Sequence, residues 1–231
     1  MSSPPRLRSF TDRYPYLGPI IWFATVEYFV IQYVVASGWP TPYSLLRNPI
    51  SDLGNTGCGA YDGRPVCSPQ HRLMNFAFIG LGLLIAVGAP LIRQEFRERR
   101  LALLGFCGMV IAGLGTALVG LSPENVNHTL HVIGAAGPFL VGNMALIILA
   151  FTLTMPTGMT VFTGIAGGVG LVGLSLFAAG ADVGVGQGGI ERVAAYPQTI
   201  WLIVFGLYMS TSHYLRRRRM RRELGLQGSS A

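Results

Sequence analysis

Residues 101–121 read LALLGFCGMVIAGLGTALVGL, twenty-one residues without a charge, bounded by Arg100 and Ser122. A helix rises about 1.5 Å per residue, so this stretch is roughly 30 Å long, the thickness of a bilayer's hydrocarbon core. Five more runs share its character. Together they predict helices at about 16–36, 73–92, 101–121, 129–152, 159–179 and 197–214. The expected fold is all-α: a polytopic six-transmembrane-helix bundle forming a single domain, followed by a basic tail at 215–231. Composition agrees. Of 231 residues, 51% are hydrophobic and 12% charged, whereas a soluble domain is about one-quarter charged. The first run is too long for a cleavable signal peptide and lacks a small-residue cleavage site, so it is expected to remain as a helix.

The net charge of +7 would suit nucleic acid, but its distribution argues against that. Arginines cluster at Arg6, Arg8 and Arg13, from Arg93 to Arg100, and from Arg216 to Arg222, each cluster at the end of an apolar run. That pattern sets topology: basic segments stay in the cytoplasm. Six spans place all three clusters on one side, so both termini are expected to be cytoplasmic in a multi-pass cell-membrane protein. The expected partners are membrane lipids, including contact of the basic tail with anionic lipid, and not nucleic acid.

Three segments fall on the opposite, outer side, at about 37–72, 122–128 and 180–196. They hold most of the remaining chemistry: Asp52, Asp62, His71, Glu124, His128, His131, Asp182, Glu191 and Arg192. The first contains Asn48-Pro49-Ile50-Ser51-Asp52-Leu53-Gly54-Asn55. In its plain reading Ser51 or Asp52 caps a short helix and Gly54 ends the turn. In its functional reading Asp52 binds a cation, orients a histidine or moves a proton. Cys58 and Cys67 are expected to form a disulfide, because an oxidising compartment permits one and the glycines between them ease ring closure. A zinc site adding His71 would need an unfamiliar spacing. Ser122-Pro123-Glu124-Asn125 reads as a helix start with Ser122 as cap. His128 and His131, three apart, share a helix face and suit a metal, a general base or plain interface bonding. Adjacent Glu191 and Arg192 are expected to serve different partners. Arg192 suits a phosphate or carboxylate, or else an ion pair with Asp52 or Asp182 that fastens two loops.

Four features lie inside the predicted spans. Glu27 sits near mid-bilayer, where a carboxyl is a functional hypothesis by default. Asn143, at similar depth, is its expected hydrogen-bond partner. Pro138 is expected to kink the fourth helix. The fifth is rich in glycine, and its Gly164–Gly168 pair suits close helix packing within the bundle or in a homo-oligomer. Cys107 reads as an inert packing residue.

With these residues in place, the chain resembles a widespread prokaryotic family of six-helix membrane proteins of unknown function. The resemblance is carried by Asn48-Pro49-Ile50-Ser51-Asp52-Leu53-Gly54, similar to that family's His/Asn-Pro-Ile-Ser-Asp-Leu-Gly signature. Weaker motifs are Leu121-Ser122-Pro123-Glu124-Asn125 with His131, and Gly189, Glu191-Arg192 and Trp201. The resemblance implies six helices and a site built on Asp52, His131, Glu191 and Arg192, with Asn48 and Ser51 beside them. Glu124, His128, Glu27 and Asn143 are the further candidate substrate contacts; no metal ligand set or cofactor is assigned. The leading expectation is an enzyme acting on a lipid or polyprenyl-linked substrate at the outer leaflet. There His131 is the base, Asp52 its orienter or a metal ligand, and Arg192 the anion binder. The alternative is a small transporter or a non-catalytic membrane binding protein, with Glu27 lining a cavity.

Overall fold

The computed structural model describes residues 14–96, 100–181 and 183–228. Six helices are long and apolar enough to cross a membrane. They are α1 (Leu17–Ser37), α2 (His71–Arg93), α3 (Ala102–Leu121), α4 (His128–Thr152), α5 (Thr157–Ala178) and α6 (Gly186–Gly228). The chain is a multi-pass membrane protein. Consecutive helices pack as antiparallel neighbours, and α6 returns against α1 to close the ring. Large apolar side chains such as Val30, Phe76, Leu114, Phe151 and Val172 cover the outside, as a surface solvated by lipid requires.

Close approach relies on small residues. Gly82 of α2 and Gly113 of α3 face each other's backbones, where a Cβ on either would collide. Toward the end carrying the termini, the core is aromatic. Trp22 is fully buried against Phe106, Trp201 and Phe205, and its Nε1 donates to the Ile85 carbonyl at 3.2 Å. Buried indole N–H groups need such acceptors.

Several expectations require correction. Helix α6 starts at Gly186, eleven positions before the expected start, and runs through Pro197. Glu191 and Arg192 therefore lie on a helix rather than in a loop. Their side chains bond to the segment before α2, which holds this extra length in place. The cap of α4 is Asn127, whose Oδ1 accepts from the Leu130 N–H at 3.1 Å. Ser122 instead follows the end of α3. Pro138 is accommodated in a π-helical turn, Gly137–Gly142; the wider turn relieves the clash and the missing donor that proline brings. Cys107 faces outward rather than into the packed interior. Arg6, Arg8, Arg13 and Asp182 lie outside the described residues.

The only strands among the described residues are β1 (Gly59–Tyr61) and β2 (Arg64–Val66), an antiparallel hairpin. Asp62 and Gly63 form its turn with φ of 47° and 74°. Two positive φ values match the twist of the flanking strands, and Asp-Gly is a preferred pair for such a turn. The Cys58–Cys67 disulfide closes the hairpin's open end.

Candidate functional site

All three connections at the hairpin end meet. Thr56 and Asn125 exchange hydrogen bonds at 3.0 and 3.2 Å, joining the first connection to the second. The Gly189 N–H donates to the Leu46 carbonyl at 3.0 Å, joining the first to α6. The centre is the 3-10 turn Ser51–Gly54, buried throughout. Neither Ser51 nor Asp52 caps it, because both side chains reach elsewhere. The Gly54 carbonyl accepts from Asn75 Nδ2 at 2.9 Å and the Leu53 carbonyl from Ser68 Oγ at 2.7 Å, pinning the turn to the start of α2.

Asp52 is 0% exposed. Its partner is Arg64 on β2. Arg64 Nη2 donates to Asp52 Oδ1 at 2.8 Å and Nε to Oδ2 at 2.9 Å, a two-pronged bond; Nη1 reaches Asp62 at 2.9 Å. Asn48 Nδ2 adds a longer bond to Asp52 at 3.3 Å. The disulfide-closed hairpin thus delivers the cation that makes a buried Asp52 tolerable.

Glu191 and Arg192 serve different partners. Glu191 accepts from the Ile50 N–H and from Ser51 Oγ, the latter at 3.0 Å. Arg192 grips the segment leading into the 3-10 turn. Its Nη1 donates to the carbonyls of Leu45, Asn48 and Gly188, Nη2 to Tyr43 Oη at 2.6 Å and Nε to Tyr196 Oη at 3.1 Å. Arg192 is a backbone clamp; of the alternatives weighed for it, the ion pair with Asp52 does not form, because Arg64 occupies that role.

Glu124 lies 3.9 Å from Arg64 Nη2, is 8% exposed, and its Oε1 has no hydrogen-bond partner. Burial and the neighbouring charges of Asp52 and Glu191 outweigh Arg64 and push its pKa up to about 8. Near neutral pH this carboxyl keeps its proton.

The two histidines face different spaces. His128 is exposed beside Tyr61, its Nδ1 3.4 Å from the phenol oxygen, while Tyr61 Oη donates to the Glu124 carbonyl at 3.1 Å. His131 is buried, with Nδ1 2.9 Å from the Ser122 carbonyl. A carbonyl only accepts, so Nδ1 carries the hydrogen and Nε2 keeps its lone pair.

Two cavities converge on Ser51. An outer basin of about 570 Å³ is lined by Tyr61, Asp62, Arg64, Glu124, His128 and Phe177, together with Pro49, Ser51 and Gln187. A smaller cavity of about 50 Å³ reaches into the bundle, bounded by His131, Glu191, Ser51, Thr116, Gln198 and Thr199 amid apolar side chains such as Tyr28, Phe78 and Phe139. The π-helical turn contributes Pro138 and Phe139 to that wall. Among the described residues, no group of three His, Cys, Asp or Glu side chains is arranged to hold a metal ion.

Glu27 and Asn143 do not join the site, nor each other. Asn143 Nδ2 donates to the Ala194 carbonyl of α6 at 3.0 Å and to Phe139 at 2.8 Å. Glu27 is half-buried beside Gly80 of α2. Neither residue lines either cavity. Arg64, Tyr43, Tyr61, Gln198 and Thr199 are the residues that sequence reasoning missed. Asp62-Gly63 was the available signal for Arg64: a two-residue turn sets Arg64 opposite Tyr61. The others have no local signal.

Residues 18–208 match the model of one protein family, described as Protein of unknown function (DUF998). No curated protein and no solved structure matches the chain.

Proposed function

The chain belongs to the DUF998 family, and from that premise we propose that its hairpin end is the site of a membrane enzyme acting on a lipid or polyprenyl-linked amphiphile at the outer leaflet. The observation that carries this reading is the pair of spaces meeting at Ser51: a polar basin and, beneath it, a largely apolar cavity within the bundle. An amphiphile fits by placing its head in the basin and its adjoining apolar part in the cavity. The bond to be changed then lies near the neck, where Ser51 is held by Glu191 and His131 presents Nε2. His131 is the proton acceptor in this scheme. Asp52 and Arg192 are positioning residues: one anchors the hairpin, the other the backbone before the 3-10 turn.

The transport reading is less well supported. It would have Glu27 line a cavity, yet Glu27 flanks α2 and neither cavity reaches it. The test is lipid mass spectrometry on cells lacking the protein, complemented by wild type, His131→Ala or Ser51→Ala. The expected result is a changed lipid profile in the deletion that wild type restores and His131→Ala does not, at equal amounts of folded protein. An unaltered profile in the deletion would sink the enzyme reading.

A further inference from the structure

We propose that the basin recognises a positively charged ammonium head group, and that it rejects anionic phosphodiester head groups. This deepens the lipid reading above and rests on it. The argument begins with which charges are already committed. Arg64 is the basin's cation, and its fork is engaged by Asp52 and Asp62. Arg192 is clamped to carbonyls and tyrosines, and it does not line the basin. Opposing them are Asp62, whose side chain is 82% exposed, and Glu124, whose buried Oε1 is unpartnered. An arriving phosphate would meet the carboxyl groups of Asp62 and Glu124 beside one guanidinium that is already paired. A cationic head group would instead find Glu124 Oε1, a carboxyl oxygen with no hydrogen-bond partner of its own. Phe177 adds an aromatic ring to the same wall, and such rings attract cations; the Tyr61 ring already carries the Arg64 guanidinium at 5.6 Å.

Glu124 also makes the binding proton-linked. The groups around it come from four elements: Asp52 on the 3-10 turn, Tyr61, Asp62 and Arg64 on the hairpin, His128 on α4 and Glu191 on α6. Burial and the charges of Asp52 and Glu191 outweigh the opposing charge of Arg64 and keep its proton on near neutral pH. A bound ammonium favours the ionised carboxylate, so binding expels that proton. Affinity should therefore rise with pH and level off above about 8.

The test is native mass spectrometry of the full-length protein in dodecyl maltoside with three dioleoyl lipids that differ only in head group. These are a trimethylammonium-propane lipid, phosphatidylglycerol and diacylglycerol. The tail arginines hold phosphatidylglycerol equally in every variant, so the site's share is read from the change in retention between wild type and each site variant. The expected result is roughly tenfold stronger site retention of the cationic lipid than of either other lipid, about 1.4 kcal/mol, growing as pH is raised. Glu124→Gln should abolish that preference. Asp62→Asn, altering an exposed turn residue, should weaken it about two- to threefold, which keeps the test open if Glu124→Gln fails to fold. Equal retention of all three lipids, untouched by either variant, overturns the head-group inference but leaves an amphiphile site standing. Site retention that favours phosphatidylglycerol also overturns it. Retention of none removes both.

Discussion

Asp52 has no exposed surface, and three of its hydrogen bonds come from the single side chain of Arg64. Removing that partner leaves a buried charge uncompensated. Arg64→Met is therefore expected to cost about 3 kcal/mol, the lower end for broken buried pairs because Arg64 itself reaches solvent. Arg64→Lys should recover part of this, since it keeps the charge but loses the fork. Apparent Tm in detergent measures both, and an unchanged Tm for Arg64→Met would show that Asp52 does not depend on the hairpin. Glu124 makes a second prediction. Its pKa rises on folding from 4.5 to about 8, so the folded state holds a proton that the unfolded state has lost. Its stabilising contribution is complete below about pH 4.5 and is lost as pH rises through about 8. Wild-type Tm should fall across that window, and Glu124→Gln should flatten the slope; equal slopes would count against the shift. At this scale the structure brings Asp52, Ser51, Glu191 and Arg192, all singled out in the sequence, into one neighbourhood. It could not show which acid meets which base. Arg64 is twelve residues from Asp52 and Arg192 is far along the chain, yet Arg64 makes the pair.

At the scale of elements, α5 divides its glycines between two faces. Gly167, Gly170 and Gly173 meet the backbone or side chains of α4 and α6, and a Cβ at Gly170 would strike the Asn143 side chain. Gly164 has only ordinary contact with Ala150, and Gly168 faces open space. Gly170→Ala must displace Asn143 and loosen its bond to the Ala194 carbonyl, at an expected cost of about 1–3 kcal/mol. Gly168→Ala should lie within about 0.5 kcal/mol of wild type. Thermal unfolding in detergent separates the two, and equal Tm values would refute the assignment of faces. The sequence singled out Gly164 and Gly168 by their spacing, but spacing names a stripe without saying which neighbour it meets. The start of α6 was hidden for a related reason. Pro197 looks like a beginning, and the polar turns before it are helical because Glu191 and Arg192 bind the first connection across the bundle.

For the molecule as a whole, arginine placement predicts that the hairpin end faces away from the cytoplasm. Single cysteines introduced at Val183 and Arg222, both exposed, test this with a membrane-impermeant maleimide. Val183→Cys should label on intact cells, and Arg222→Cys only after lysis; the reverse pattern would move the site to the inner leaflet. Six spans, the approximate limits of the first five and this charge asymmetry were legible because each is a property of contiguous residues: bilayer thickness sets the length of an apolar run, and charges stay where they are cheap to solvate. The disulfide was legible from two nearby cysteines and easily turned residues. The site's wiring was not. Which partner satisfies Asp52, which nitrogen of His131 is left open and where the two cavities meet depend on groups brought together from separate loops. Only the closed helix ring, with its glycine-mediated approaches and the hairpin folded over its end, decides those contacts, because hydrogen-bond geometry is set in space and not along the chain.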